Sequence, residues 1–197
     1  MIKALLIGNG PSALEQKMGE RIDSNEFDIV CRFNRGHKQD NGEINKGYEE
    51  YVGTRCDYWI TSDLRINLAI QRHKEYQGIF IFTPKFKYNP NLAKSIEQNY
   101  DNIKFIPPPY EEDINKISNF SPSWPSTGIA GIHFSINHFE EVYIYGFDTY
   151  DIKYDNLHFF EDKPNKYKNQ NSTDHSPIKE KKYIQHMLNN HKIKLLK

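Results

Sequence analysis

The N-terminal stretch Lys3-Ala4-Leu5-Leu6-Ile7-Gly8-Asn9-Gly10-Pro11-Ser12 joins a short apolar run to a glycine-rich turn. Its first five residues have the length and composition of a buried strand, and glycine follows them at once. The turn ends in a proline and a serine, which favour the start of a helix, here at about Ala13. The stretch therefore predicts a strand, a turn and a helix, the repeating unit of an α/β fold.

The rest of the chain continues this alternation of strands and helices. Further strands are predicted at Asp28–Phe33, Tyr58–Thr61, Gly78–Phe82, Ile103–Ile106, Val142–Tyr145 and Lys192–Leu195. Helices are predicted after Ser62 or Asp63, at Thr127–Phe139 and at Ser176–Asn190. We expect a layered α/β fold in which helices cover both faces of a mostly parallel sheet.

Charge and hydropathy exclude some classes of partner. The 197 residues include 26 Lys and Arg and 26 Asp and Glu, so the net charge is zero and no nucleic-acid partner is expected. The apolar run Ala4–Ile7 is far shorter than the roughly 20 residues that span a bilayer, and we expect no integral membrane segment. A cytoplasmic location is expected, with Cys31 and Cys56 reduced.

One long segment shows no periodic pattern. Residues 148–176 are polar and aromatic, and loops longer than about 12–15 residues are usually functional or disordered. We expect a mobile loop over about 148–176.

Two strand-to-helix turns have the composition of anion sites. The Gly8–Ser12 turn lets backbone approach a phosphate, and Ser126-Thr127-Gly128 stands at the start of a helix, where N–H groups lack partners. A turn that only connects a strand to a helix would also explain Gly8–Ser12. Helix capping without a ligand would also explain Ser126-Thr127-Gly128. Together, the two turns favour a nucleotide that carries both a sugar and a phosphate.

Histidines are the candidates for proton transfer. His158 and His175 lie in or beside the long polar segment, with Glu180 five residues after His175, although a histidine in such a segment is also compatible with simple solvent exposure. His133 and His138 are five residues apart, a poor spacing for a metal pair. The chain has no HExxH, CxxC, Asp-x-Asp or Gly-x-Ser-x-Gly motif. We therefore expect neither a metal nor a cofactor, and a reaction in which an activated hydroxyl displaces a leaving group.

The chain contains, in order, segments that resemble four motifs of the sialyltransferases of glycosyltransferase family 29. Ile7-Gly8-Asn9-Gly10 precedes them. Segments similar to the large motif are Ile22-Asp23-Ser24-Asn25-Glu26-Phe27-Asp28-Ile29-Val30-Cys31-Arg32-Phe33-Asn34-Arg35 and Tyr51-Val52-Gly53-Thr54-Arg55. Segments similar to the small motif are Pro125-Ser126-Thr127-Gly128-Ile129 and Glu141-Val142-Tyr143-Ile144-Tyr145-Gly146-Phe147. A segment similar to the third motif is His158-Phe159-Phe160-Glu161, and a segment similar to the very small motif is His175-Ser176-Pro177-Ile178-Lys179-Glu180.

The chain also departs from the family's Golgi members. We expect no membrane anchor of the kind they carry, and no cysteine lies between residues 125 and 147 to form their disulfide. It therefore looks like a minimal version of bacterial or viral type. The Gly8–Ser12 turn also resembles the bacterial sialyltransferases of family 42, which use the same donor on a related fold.

The resemblance implies one glycosyltransferase domain over residues 1–197, a GT-A-like variant of the Rossmann-like fold. It implies an inverting, metal-independent transfer from a CMP-sugar to a glycan, in glycan biosynthesis. Asn9 and Asn34 would contact the phosphate and ribose, and His158 would hold the donor phosphate. His175 would be the base, with Glu180 available to orient it. The cytidine side would be lined by Ser126, Thr127 and Gly128 and closed by Gly146 and Phe147.

The transferred sugar stays open at this point. Sialic acid is the first interpretation, and Kdo, which is also carried on CMP, is the alternative. A non-catalytic module that only binds the CMP-sugar is a further alternative. A lipid-linked acceptor would bring the protein to a membrane surface peripherally.

Overall fold

A seven-stranded parallel sheet forms the centre of the protein. The computed structural model describes residues 1–36, 47–84, 87–106, 109–121, 123–149, 153–164 and 175–197. The strands are β1 (Lys3–Ile7), β2 (Ile29–Phe33), β3 (Tyr58–Ser62), β4 (Gly78–Phe82), β5 (Ile103–Ile106), β6 (Glu141–Tyr145), β7 (Asn156–His158), β8 (Glu161–Pro164) and β9 (Lys194–Leu195). The central sheet has the order β5-β4-β3-β2-β1-β6-β9, while β7 and β8 form a separate antiparallel pair.

Helices cover both faces of this sheet. They are α1 (Gly19–Asp23), α2 (Glu49–Val52), α3 (Ile66–Arg72), α4 (Pro90–Asn99), α5 (Pro109–Ile117), α6 (Thr127–His138) and α7 (Pro177–Asn189). Residues of α5, α6 and α7 pack with Leu6 and Cys31 on one face. The helices α1 and α2 pack with Leu5 and Val30 on the other face, and α3 and α4 pack there with Ile79. Since both faces are covered, the central strand β2 is buried at every residue.

The strand order creates a switch point between β1 and β6. From β1 the chain proceeds outward through β2 to β5, and it then returns to place β6 on the other side of β1. The connection after β1 passes through α1 on one face of the sheet, and the connection after β6 passes through α7 on the other face. In folds of this type, ligands bind in a crevice at the carboxyl ends of the strands beside such a switch point. The predicted α/β fold with a mostly parallel, Rossmann-like sheet is confirmed.

Two segments differ from the sequence-based expectation. The helix expected at about Ala13 is a short 3₁₀ helix, Pro11–Leu14, and the Tyr145 hydroxyl donates hydrogen bonds to the carbonyl oxygens of Ala13 and Gln16. These carbonyls are thus satisfied without a continuous α-helix. Within the predicted mobile loop, β7 and β8 form a hairpin. Residues 150–152 and 165–174 of that loop lie outside the described residues, and its mobility stays a prediction.

No helix in the described ranges combines the length and the apolar character that crossing a membrane requires.

Candidate functional site

The crevice at the switch point, here called the main cleft, brings together all ten site residues that the sequence singled out. Its walls come from the loops after β1, β2 and β6, the start of α6, the hairpin and the start of α7. The ten residues are Asn9, Asn34, Ser126, Thr127, Gly128, Gly146, Phe147, His158, His175 and Glu180. They span more than 170 positions of the chain, so only the fold places them together.

The backbones of the loops after β1 and β6 are in direct contact. The Gly10 N–H donates a hydrogen bond to the Gly146 carbonyl oxygen at 2.9 Å. A Cβ atom on Gly8 would lie only 2.3 Å from that same oxygen. Gly146 has φ +70°, a conformation that favours glycine. The glycines of both motifs are therefore needed to form the floor of the main cleft.

Asn9 connects this floor to its surroundings. Its side-chain Nδ2 donates to the Phe33 carbonyl oxygen at 3.1 Å, and its own carbonyl oxygen accepts from the Phe159 N–H at 3.0 Å. Its Oδ1 is buried close to Gly36 and has no hydrogen-bond partner among the described residues. Asn9 thus links the loop after β1 to the end of β2 and to the hairpin.

Asn34 is held in a left-handed conformation, with φ +47°. Its N–H donates to the Ile60 carbonyl oxygen at 2.9 Å, and its carbonyl oxygen accepts from the Trp59 indole at 2.7 Å. Its Oδ1 accepts from Thr61 and Ser62, each at 3.3 Å. These contacts with β3 stabilise an unusual backbone conformation. Because Oδ1 is engaged with the protein, the Nδ2 group is the part of this side chain left to donate to a ligand.

The start of α6 presents backbone N–H groups to the main cleft. Ser126 caps the helix, its Oγ accepting from the Ile129 N–H at 3.3 Å. The first N–H groups of a helix lack internal partners and carry the positive end of the helix dipole. A Cβ atom on Gly128 would lie 3.3 Å from the Phe147 ring, so glycine lets this ring pack closely against α6. The Phe147 ring meets the Phe33 ring edge to face, with centroids 5.4 Å apart. The geometry suits a planar base packed against apolar rings beside an anion.

Glu180 is a buried carboxyl group, only 3% exposed, in the first turn of α7. Its Oε1 accepts a hydrogen bond from the Ser126 N–H at 3.2 Å. Burial raises the pKa of Glu180 to about 8, and the hydrogen bonds from Ser126 oppose this increase. The sequence suggested that Glu180 orients His175. The structure shows that Glu180 anchors the cap of α6, and its role in orienting His175 stays a prediction.

Asp148 is a residue of the main cleft that the sequence analysis missed. Its Oδ2 accepts from the Ser12 N–H at 2.8 Å, and a Cβ on Gly10 would lie 2.3 Å from it. Burial raises the pKa of Asp148, while the hydrogen bonds from Ser12 lower it. An acidic residue directly after Gly146-Phe147 was the available signal. Asp148 ties the loop after β6 to the loop after β1.

The two candidate histidines lie on different elements of the main cleft. His158 ends β7, and its ring stacks on Phe160 with a centroid separation of 5.3 Å. The Nδ1 atom of His175 lies 3.2 Å from the Trp124 carbonyl oxygen. A carbonyl oxygen only accepts, so this bond assigns the hydrogen to Nδ1 and leaves the lone pair of a neutral imidazole on Nε2. In this neutral tautomer, Nε2 is the ring nitrogen that can accept a proton.

A second cavity, here called the adjoining cavity, shares Asn34, Thr127 and His175 with the main cleft. Its remaining walls combine apolar or aromatic residues with polar ones. The apolar ones include Leu64, Phe82, Tyr110, Trp124 and Pro125, and the polar ones are Ser62, Asp63, Arg65 and Lys87. His175 thus lines both spaces.

No group of three or more His, Cys, Asp or Glu side chains is arranged to hold a metal ion within the described part of the chain. The model of glycosyltransferase family 29 (sialyltransferase) matches residues 2–192, nearly the whole chain. No curated protein matches it.

Proposed function

The chain belongs to glycosyltransferase family 29, the sialyltransferases, and from that premise we propose that it transfers sialic acid from CMP-sialic acid to a glycan hydroxyl by a single inverting displacement, without a metal ion. The main cleft would bind the CMP-sugar donor, and the adjoining cavity would bind the sugar of the acceptor. This assignment fits the switch point, where nucleotides bind in related sheets.

The observation that carries the proposal is the position of His175. It lines both spaces, and its hydrogen bond with the Trp124 carbonyl places the imidazole lone pair on Nε2. A general base has to touch the attacking hydroxyl while that hydroxyl faces the donor. A residue on the boundary between donor and acceptor spaces meets this requirement.

The reaction follows from this placement. The acceptor oxygen attacks the anomeric carbon of sialic acid, and its proton moves to Nε2 of His175. The bond between the anomeric carbon and the phosphate oxygen breaks, and its electron pair leaves with CMP. Attack and departure occur on opposite faces of the carbon, so the configuration inverts.

The leaving phosphate needs stabilisation as its charge increases. We assign this role to His158, to the Nδ2 group of Asn34 and to the first N–H groups of α6, with Asn9 beside the ribose. Donors fixed before the reaction stabilise developing charge effectively, because they require no reorganisation. CMP leaves with a single phosphate, which carries less charge than a diphosphate, and this supports a metal-independent mechanism.

Ser126, Thr127 and Gly128 would contact the cytidine, with Gly146 and Phe147 closing that side. Glu180, whose pKa is about 8, is mostly neutral at pH 7 and leaves the start of α6 without an opposing negative charge. The phosphate and the neutral carboxyl are therefore compatible neighbours.

The direct test is to incubate the protein with CMP-sialic acid, CMP-Kdo and UDP-galactose in turn, each with a panel of glycan acceptors. Mass spectrometry measures the product, and nucleotide release measures donor turnover. We expect an acceptor that gains one sialic acid, with the anomeric configuration inverted by NMR. Transfer from CMP-Kdo alone would replace the donor assignment, and turnover of UDP-galactose would contradict the proposed cleft.

A further inference from the structure

A strip of aromatic rings extends from the adjoining cavity along one face of the sheet. Phe82 and Tyr110 line that cavity and meet edge to face, with ring centroids 5.2 Å apart. Phe82 also meets Phe134 of α6 at 6.5 Å. The strip continues from Phe134 to Phe80 at 4.4 Å and from Phe80 to Tyr58 at 5.4 Å. It therefore leads away from His175 across β4 and β3.

The strip ends in a third space, here called the aromatic groove, with a volume of about 690 Å³. Tyr110 lines both the groove and the adjoining cavity, so the two spaces lie next to each other with this side chain as their shared wall. The groove lies between α5 and α6, and its main apolar residues are Tyr58, Phe80, Ile106, Phe134 and Phe139. Its volume is in the range of about 300–1,000 Å³ that is usual for small-molecule sites.

The groove remains open because the sheet edge is only partly covered on this face. The strand β5 is an edge strand, and it places the exposed Lys104 on the groove wall. The rings of Phe80 and Phe134 are accordingly only partly buried. Several half-exposed rings in one groove form an apolar surface that a ligand can remove from water.

Polar residues of the groove wall already have partners in the protein. The Nδ1 atom of His133 lies 2.8 Å from the Tyr183 hydroxyl, and Asp113 forms an ion pair with Lys116 at 2.6 Å. His138 Nδ1 lies 2.8 Å from the Phe134 carbonyl oxygen. An occupant of the groove consequently does not have to supply polar groups for these side chains.

We propose that the aromatic groove binds the hydrocarbon tail of an amphiphilic acceptor, whose sugar head lies in the adjoining cavity beside His175. This inference rests on the proposed function for the identity of the head. The groove itself points to a hydrocarbon tail, because its lining is rich in half-buried aromatic rings and it adjoins, across Tyr110, the space where the reacting hydroxyl would lie. The acceptor class is then a glycolipid or a sugar with another long apolar aglycone.

The test uses alkyl β-galactosides with methyl, butyl, hexyl and octyl tails, below their micelle-forming concentrations. Calorimetry measures their dissociation constants for the CMP-saturated protein. Each methylene that leaves water contributes about 0.8 kcal/mol, which is about a four-fold increase in affinity. We expect a steep increase from methyl to octyl, and a flat series would overturn the proposal.

Two tryptophan variants locate the tail. Asn137 is exposed on the groove wall, and Asn137→Trp fills the groove. Gln98, exposed on α4 against the opposite face of the sheet, provides the matched control Gln98→Trp. We expect the chain-length dependence to be lost in Asn137→Trp and kept in Gln98→Trp. The same dependence in both variants would place the tail elsewhere and overturn the proposal.

A third variant separates the head from the tail. Trp124→Leu removes a ring from the adjoining cavity, so it should weaken every galactoside by a similar factor and leave the dependence on chain length unchanged. CMP affinity, measured in a separate titration of each free variant, verifies that the variant is folded. The proposed function is tested separately, because its failure would be seen as an absence of CMP-sialic acid turnover. The series of alkyl galactosides tests the groove alone.

Discussion

Replacing Glu180 with glutamine should make the protein more stable at alkaline pH. Glu180 is 3% exposed and its pKa is raised to about 8 by burial, whereas the same group in an unfolded chain has a value near 4.5. The folded state therefore keeps the proton over a pH range in which the unfolded state releases it. Glutamine has nearly the same shape, keeps a carbonyl oxygen for the Ser126 N–H and never ionises.

The magnitude follows from the difference between the two pKa values. The stability that the neutral carboxyl contributes is complete below about pH 4.5 and is lost as the pH rises through 8. One pKa unit corresponds to about 1.4 kcal/mol, so the full loss is about 5 kcal/mol, and about 3 kcal/mol is lost by pH 7. Because a domain is typically stable by only about 5–15 kcal/mol, the effect is large.

Urea unfolding of wild type and Glu180→Gln between pH 5 and pH 9 measures this difference. The stability advantage of the variant should be small at pH 5, increase by about 1.4 kcal/mol per pH unit, and level off above pH 8. Glu20→Gln, at an exposed position on α1, is the matched control and should follow wild type at every pH. A constant difference between Glu180→Gln and wild type across this range would refute the reasoning, because it would mean that Glu180 ionises as readily in the folded state as in the unfolded one.

Four further outcomes are expected. His175→Ala should lower kcat by about 10²–10⁴-fold with CMP affinity nearly unchanged, because it removes the base but no donor contact; near wild-type kcat would contradict the assignment. His158→Ala should weaken CMP binding as well as lower kcat, which calorimetry and steady-state kinetics measure, since its proposed phosphate contact exists before and during the reaction. Turnover should persist in EDTA, and a loss that magnesium or manganese restores would exclude the metal-independent mechanism. Asp148→Asn, which keeps an acceptor for the Ser12 N–H, should bind CMP more tightly than Asp148→Ala; equal affinities in calorimetry would show that this hydrogen bond does not position the loop.

The strands of the sheet were predictable because their signals are local. Each is a short run of apolar residues bounded by glycine, proline or polar residues, and β1, β4 and β5 have the predicted bounds. The helix α4 was also predictable, because Asn89 caps it and Pro90 begins it. That signal was not used to predict the helix. Local chemistry was therefore sufficient for most element positions.

The hairpin of β7 and β8 was missed because its residues lack the alternating pattern of a half-buried strand. It is held partly from outside, by the hydrogen bond from the Phe159 N–H to the Asn9 carbonyl oxygen. That bond joins segments about 150 residues apart. A window of neighbouring residues therefore does not predict the hairpin.

By itself, the sequence determined the residue types of the candidate site: a glycine-rich turn, a serine that caps a helix and two histidines. Only the tertiary structure decided which of them touch. It brought Glu180 to Ser126 across 54 positions and Asp148 to Ser12 across 136 positions, and it set His175 between two cavities. The physical reason is that these contacts depend on the strand order β5-β4-β3-β2-β1-β6-β9, which is set by long-range pairing and packing of the complete sheet and not by the propensities of neighbouring residues.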